Sequence, residues 1–258
     1  MVQIRRLIID ALAAQKAKCG RNLYANLIIR RQKSEIVTLI VLNFKTYREA
    51  TGQTAIKLAE ICEEVSAEYS VKIIVSPQTA DIHAIAEAVK IPVYAQHVDG
   101  VGYGGFTGHI TAASLQAAGA CGSLINHSER RLKLAEIEAS IAACRAAGLA
   151  TIVCTNNIAT TRAAASIRPD FVAVEPPELI GSGIPVSKAD PEVVRGSVDA
   201  VKKIEPGVGV LCGAGITHGE DLKAALDLGS VGVLLASGVV KAKDQKKALE
   251  DLVAGAKR

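Results

Sequence analysis

A chain of 258 residues with 49% hydrophobic content can bury one full core, and barrels of this length commonly form a single domain. The net charge of +4 sits at one end: residues 1 to 36 hold eight Lys/Arg and two Asp/Glu, whereas residues 37 to 258 hold 22 and 24. A nearly neutral body with no Trp and 3% aromatic residues argues against a nucleic-acid platform, and no apolar run approaches the roughly 20 residues a membrane helix needs.

Residues 1 to 36 differ from the rest. Ile4, Leu7, Ile8, Ala11 and Leu12 recur at helical spacing opposite Arg5, Arg6 and Asp10, which predicts a short basic helix ending near Gly20. The segment reads as a loosely held extension to a catalytic domain over 37 to 258; initiation at Val37 is an alternative reading. From residue 38 a unit repeats eight times, a short apolar run followed by a longer segment of helical periodicity. The strands are expected at Thr38 to Asn43, Val71 to Ser76, Pro92 to His97, Cys121 to Asn126, Leu149 to Thr155, Asp170 to Glu175, Val208 to Gly213 and Ser230 to Ala236. Runs apolar on both faces suit a parallel sheet covered by helices. Eight such units predict an α/β fold, a single (β/α)8 barrel of the TIM type with a short basic N-terminal extension; a doubly wound open sheet is the second choice.

Cys19, Cys62, Cys121, Cys144, Cys154 and Cys212 show no C-x-x-C spacing and mostly lie in apolar runs, as small core residues of a reducing cytosol do. Gly100, Gly102 and Gly105 match G-x-G-x-x-G after a strand. The dinucleotide fingerprint also needs a helix opening at the third glycine and an acid about 20 positions on; here Phe106, Thr107, Gly108 and His109 intervene, so the stretch reads as a flexible or interface loop.

In a parallel barrel the chemistry gathers at the C-terminal ends of the strands. At the first end, Asn43 and Lys45 are two apart and project to the same side, Lys45 as a fixed cation. At the fourth, His127 lies at the tip, and Ser128 is expected to cap a short helix whose N–H groups disfavour imidazolium. At the sixth, Glu175 ends an apolar run. Pro176 and Pro177 follow and end the ladder, while Gly181 and Gly183 permit a tight lid. The seventh and eighth ends carry Gly213, Ala214, Gly215 and Ala236, Ser237, Gly238, small residues that let backbone N–H groups converge on an anion. Base, cation, neutral donor and phosphate cradle thus fall on one rim. No His/Cys/Asp cluster has metal-ligand spacing.

Asn43-Phe44-Lys45, Asn126-His127-Ser128-Glu129-Arg130-Arg131 and Glu175-Pro176-Pro177-Glu178-Leu179-Ile180-Gly181-Ser182-Gly183 resemble the three signature stretches of the triosephosphate isomerase family, in register from about Thr38 to the C-terminus. Phe44, and a lid without Trp, are similar to its compact archaeal branch. The loop Cys212-Gly213-Ala214-Gly215-Ile216 departs from the Tyr-Gly-Gly-Ser form of most bacterial and eukaryotic members. The resemblance implies a cytoplasmic enzyme of glycolysis and gluconeogenesis that interconverts dihydroxyacetone phosphate and D-glyceraldehyde 3-phosphate without metal or organic cofactor. It implies Glu175 as base, neutral His127 as donor and Lys45 as cation. Asn43 and Lys45 hold substrate, Glu129 supports the lysine, and Ile180 and Gly181 close over the phosphate with Gly215, Ala236 and Ser237. The loop from His97 to His109 resembles one that braces a neighbouring subunit, which implies a homo-oligomer, a tetramer by comparison with archaeal members. The competing readings are a Schiff-base phosphosugar aldolase using Lys45 and a non-catalytic interaction barrel.

Overall fold

The computed structural model of the chain describes residues 38–176, 179 and 185–256. The expected N-terminal helix, Glu178 and the lid residues Ile180, Gly181, Ser182 and Gly183 lie outside these. Eight strands occur where the apolar runs predict them: β1 (Leu39–Asn43), β2 (Lys72–Ser76), β3 (Tyr94–Ala95), β4 (Gly122–Ile125), β5 (Ala150–Thr155), β6 (Phe171–Val174), β7 (Gly209–Cys212) and β8 (Gly232–Leu235). Each is shorter than its prediction by one residue or more. β3 shrinks most, because only Tyr94 and Ala95 pair with β4.

All pairings are parallel, in the order β2-β1-β8-β7-β6-β5-β4-β3. The two outer strands meet through a bridge between Val75 and Val93, and Val75 N–H donates to the Pro92 carbonyl at 3.1 Å. The sheet therefore closes, and the open doubly wound alternative falls away.

Alternation along the strands produces two apolar regions. Leu39 and Val41 join Ile74, Tyr94, Leu124, Ile152, Phe171, Leu211 and Leu234 in the set that fills the barrel. Ile40, Leu42, Ile73, Val75, Val172 and Val210 belong to a larger layer with helical side chains. Burying each such Leu, Ile or Val contributes about 1.5–3 kcal/mol, which is why runs apolar on both faces are stable only inside a helical jacket.

That jacket comprises α1 (Gln53–Tyr69), α2 (Ile82–Ala88), α3 (Ala112–Ala117), α4 (Leu134–Ala147), α5 (Ile158–Ser166), α6 (Val186–Ala189), α7 (Pro191–Ile204), α8 (Gly219–Asp227), α9 (Ser237–Val240) and α10 (Gln245–Ala254). Several starts are written in the sequence. Asp190 accepts from Val193 N–H with Pro191 in the first turn, and Asp244 accepts from Lys247 N–H. Helix α4 ends on Gly148, whose φ of 78° only glycine adopts readily.

Cys62, Cys144, Cys154 and Cys212 are free and buried, as expected of core thiols. Burial pushes Cys144 and Cys212 up to about 12, so these thiols stay protonated. Cys121 is buried as well. The glycine-rich stretch after β3 opens no helix at Gly105; α3 begins at Ala112, capped by Thr111. Among the described residues no helix is long and apolar enough to cross a membrane.

Candidate active site

Strand β1 delivers its two polar residues by a local device. Asn43 ends the strand buried, and its Oδ1 accepts the Lys45 N–H at 2.9 Å across a turn in which Lys45 takes φ 49°. A left-handed lysine costs backbone energy, and the structure offsets it with fixed contacts. Gln96 Nε2 donates to the Lys45 carbonyl at 2.9 Å and to that of Ser76 at 3.0 Å. The ammonium is held at 2.8 Å from Glu129 Oε1, with the lysine side chain 13% exposed.

His127 follows β4 and is buried. The turn after it is not the expected helix. Arg130 N–H closes back on the His127 carbonyl at 2.7 Å, the next helix starts only at Leu134, and Ser128 Oγ is buried without a hydrogen-bond partner. The ring is set instead by a single backbone bond: Glu129 N–H donates to His127 Nδ1 at 3.2 Å. A nitrogen that accepts in this way carries no proton, which leaves Nε2 to carry the ring's N–H. Nε2 points at Glu175 Oε2, 3.6 Å away.

Glu175 lies one residue beyond β6 and still extends the ladder, donating its N–H to the Thr155 carbonyl at 2.7 Å. It is 2% exposed. Desolvation raises the carboxyl above its ordinary range, opposed by His127, by the Cys154 thiol, by the Lys45 charge and by the Ser128 N–H. At strict hydrogen-bond geometry neither carboxylate oxygen has a partner, so the nearby thiol and N–H offset only part of that burial. Room for the side chain comes from Gly213, where a Cβ would stand 2.7 Å from Glu175 Cγ and 3.1 Å from the Val174 carbonyl.

One cavity collects these groups. Asn43, Lys45, His127 and Glu175 line it together with residues 213–217 and 234–237, which include Gly215, Ala236 and Ser237. Seven of the predicted site residues therefore share one wall system, and Glu129 reaches it through Lys45; Ile180 and Gly181 lie outside the described residues. Sequence reasoning missed Tyr47, which lines the cavity and carries Lys241 Nζ 5.4 Å from its ring centre. It also missed Gln96. The signal for Tyr47 was its place two residues past Lys45, continuing the same alternation. Gln96 could have been noticed as the amide just past the third strand, at the end where the chemistry gathers. Among the described residues no group of three or more His, Cys, Asp or Glu could hold a metal ion.

A buried carboxylate, a ring N–H and an ammonium around one small cavity can move a proton between adjacent carbons while holding an oxyanion. Comparison with known proteins bears on which reaction this is. The family model described as Triosephosphate isomerase matches residues 38–255. The triosephosphate isomerase of Methanococcoides burtonii is 66% identical over 216 residues, which cover 84% of this chain and 98% of that protein. That of Methanosarcina acetivorans is 63% identical over 214 residues, 83% and 96% of the two chains. That of Methanothermobacter thermautotrophicus is 58% identical over 216 residues, 84% and 94%. All three organisms are methanogenic archaea, the branch the motifs pointed to. A crystal structure of triosephosphate isomerase from Bartonella henselae superposes with a TM-score of 0.70 at 17% identity, covering 86% of this chain and 99% of that one, and shows the fold.

Proposed function

The chain belongs to the triosephosphate isomerase family, and from that premise we propose how its residues divide the work of interconverting dihydroxyacetone phosphate and D-glyceraldehyde 3-phosphate. Glu175, ionised, takes the proton from the carbon beside the substrate carbonyl and returns it to the neighbouring carbon. The raised affinity of its buried carboxyl for a proton makes it a stronger base than a solvated glutamate. His127 Nε2–H donates to the carbonyl oxygen on which charge develops. Lys45 and Asn43 face the same enediolate, and the Lys45 charge is worth most once water is excluded. Backbone around Gly215, Ala236 and Ser237 holds the phosphate, and Ile180 and Gly181 close over it.

The observation that carries this reading is the 3.6 Å approach of His127 Nε2 to Glu175 Oε2 on a cavity that Lys45 also lines. The aldolase alternative loses ground to the ion pair between Lys45 and Glu129, which suits a fixed cation better than an amine nucleophile.

We extend the reading in three directions. The catalytic body comprises residues 37–258, with the first 36 residues as an extension of unassigned role. The enzyme works in the cytoplasm, where its charged substrate is made and consumed. It assembles as a homo-oligomer, a tetramer like that expected of archaeal members, through the loop from His97 to His109. Tyr103 on that loop is 91% exposed and Phe106 43%, an unusual display for large aromatic side chains.

The test is a coupled assay of triose phosphate interconversion on the full chain and on Glu175→Asp. Retracting the carboxylate by one methylene should lower kcat by about 10² or more and leave KM little changed. A variant within a few-fold of the unmodified enzyme would remove Glu175 from the role of base.

A further inference from the structure

Asn126 takes no part in the proton transfer, yet it ties the loop that carries His127 to β5, the strand that pairs with the one leading to Glu175. It sits between β4 and His127 with φ 61°, and its side chain reaches in two directions. Nδ2 donates to the Cys154 carbonyl on the neighbouring strand β5 at 2.9 Å, and Oδ1 accepts the Leu132 N–H at 2.8 Å. The second bond closes residues 126–132 into a loop, and that loop carries His127, the Glu129 N–H that fixes its tautomer, and the Glu129 carboxylate that holds Lys45. The first bond anchors the loop to the backbone of Cys154, whose thiol faces the Glu175 carboxylate.

We infer that Asn126 is a positioning residue that sets His127 against Glu175 by clamping the loop after β4 onto β5. The inference rests on the proton-transfer reading above. A turn residue would need only the backbone conformation, for which glycine suffices. The side chain with two partners is an addition that aligns the donor nitrogen, and misplacement by about 1 Å can cost 10²-fold in rate.

Asn126→Gly keeps the left-handed backbone without strain and removes both bonds. We expect kcat to fall 10- to 100-fold with KM within about twofold, since the phosphate cradle lies on other strands. In the same variant the 15N signals of the His127 ring should change from a single Nε2–H form to a mixture of tautomers, because the Glu129 N–H is no longer held at Nδ1. Should the glycine variant not fold, Asn126→Asp, which keeps the acceptor for Leu132 and loses only the donor to Cys154, takes the same readouts. A kcat within threefold, or a loss carried by KM alone, overturns the inference. If the unmodified chain does not isomerise triose phosphates, the reaction reading fails instead, and the ring signals alone decide: a mixture supports the clamp and one form overturns it.

Discussion

Glu175 and Lys45 are both held in states that a sequence optimised only for stability would avoid. The carboxylate is buried with its proton affinity raised, and the lysine has a left-handed backbone. For the carboxylate the consequence can be signed. A group whose folded-state affinity for a proton is raised loses stability as pH climbs: the unfolded chain releases its proton near the ordinary value of 4.5 while the folded chain still holds it. Glu175→Gln should therefore abolish turnover yet melt at a higher temperature near pH 7, by about 2–4 °C for each kcal/mol recovered. The advantage should shrink toward zero as pH falls below the ordinary carboxyl range. Melting curves of both proteins across that window check the claim, and a gap independent of pH would sink it. At this scale Lys45, His127 and Glu175 were legible as chemical types at strand ends. The partners that set them were not: Gln96 and Asn126 act through contacts across strands, and the Glu129 N–H acts through a turn where the sequence predicts a helix.

At the scale of the element, strand positions follow the apolar runs closely, and the trimmed ends are physical. A run shows where side chains can be buried, whereas a strand ends where its neighbour ceases to pair, as β3 does after two residues. The missing helix after His127 has a similar cause: Ser128 is a good cap by type, but Arg130 turns back onto the His127 carbonyl before a helix can begin. The β1 to β8 seam is tighter than any pattern announces. A Cβ at Gly232 would stand 1.8 Å from the Leu39 carbonyl oxygen, and those residues pair across the two strands that carry Asn43 and Ala236 at their ends. Gly232→Ala should destabilise the fold by about 1–3 kcal/mol or more, read as a lower denaturant midpoint. An unchanged midpoint would mean the seam can spread at no cost.

Across the whole molecule, the barrel does what no stretch of sequence can, bringing residues 43, 127 and 175 to one cavity. The loop from His97 to His109 points the other way, outward. Its base is tied by the Ile110 N–H to Asp99 Oδ2 at 2.7 Å and by His97 Nε2 to Asp99 Oδ1 at 3.0 Å, while Tyr103 at its tip stands in solvent. A braced base under an exposed aromatic tip suits a partner surface. Replacing Tyr103 and Phe106 together by Ser should shift the sedimenting species to a smaller assembly, whereas a monomeric unmodified chain would refute the oligomer outright.

Order along the chain, the eight apolar runs, the helix caps at Asp190 and Asp244 and the chemical kinds of Asn43, Lys45, His127 and Glu175 were determined by the sequence, because each depends on near neighbours and on burial that hydropathy reports. Only tertiary structure decided that the sheet closes between β2 and β3 and that Glu175 faces His127 at 3.6 Å. It alone placed Gln96 against the lysine and brought Tyr47 to the same cavity wall as residues 213–217. Those outcomes depend on distances between residues far apart in the chain, and such distances exist only once parallel strands have been rolled into register.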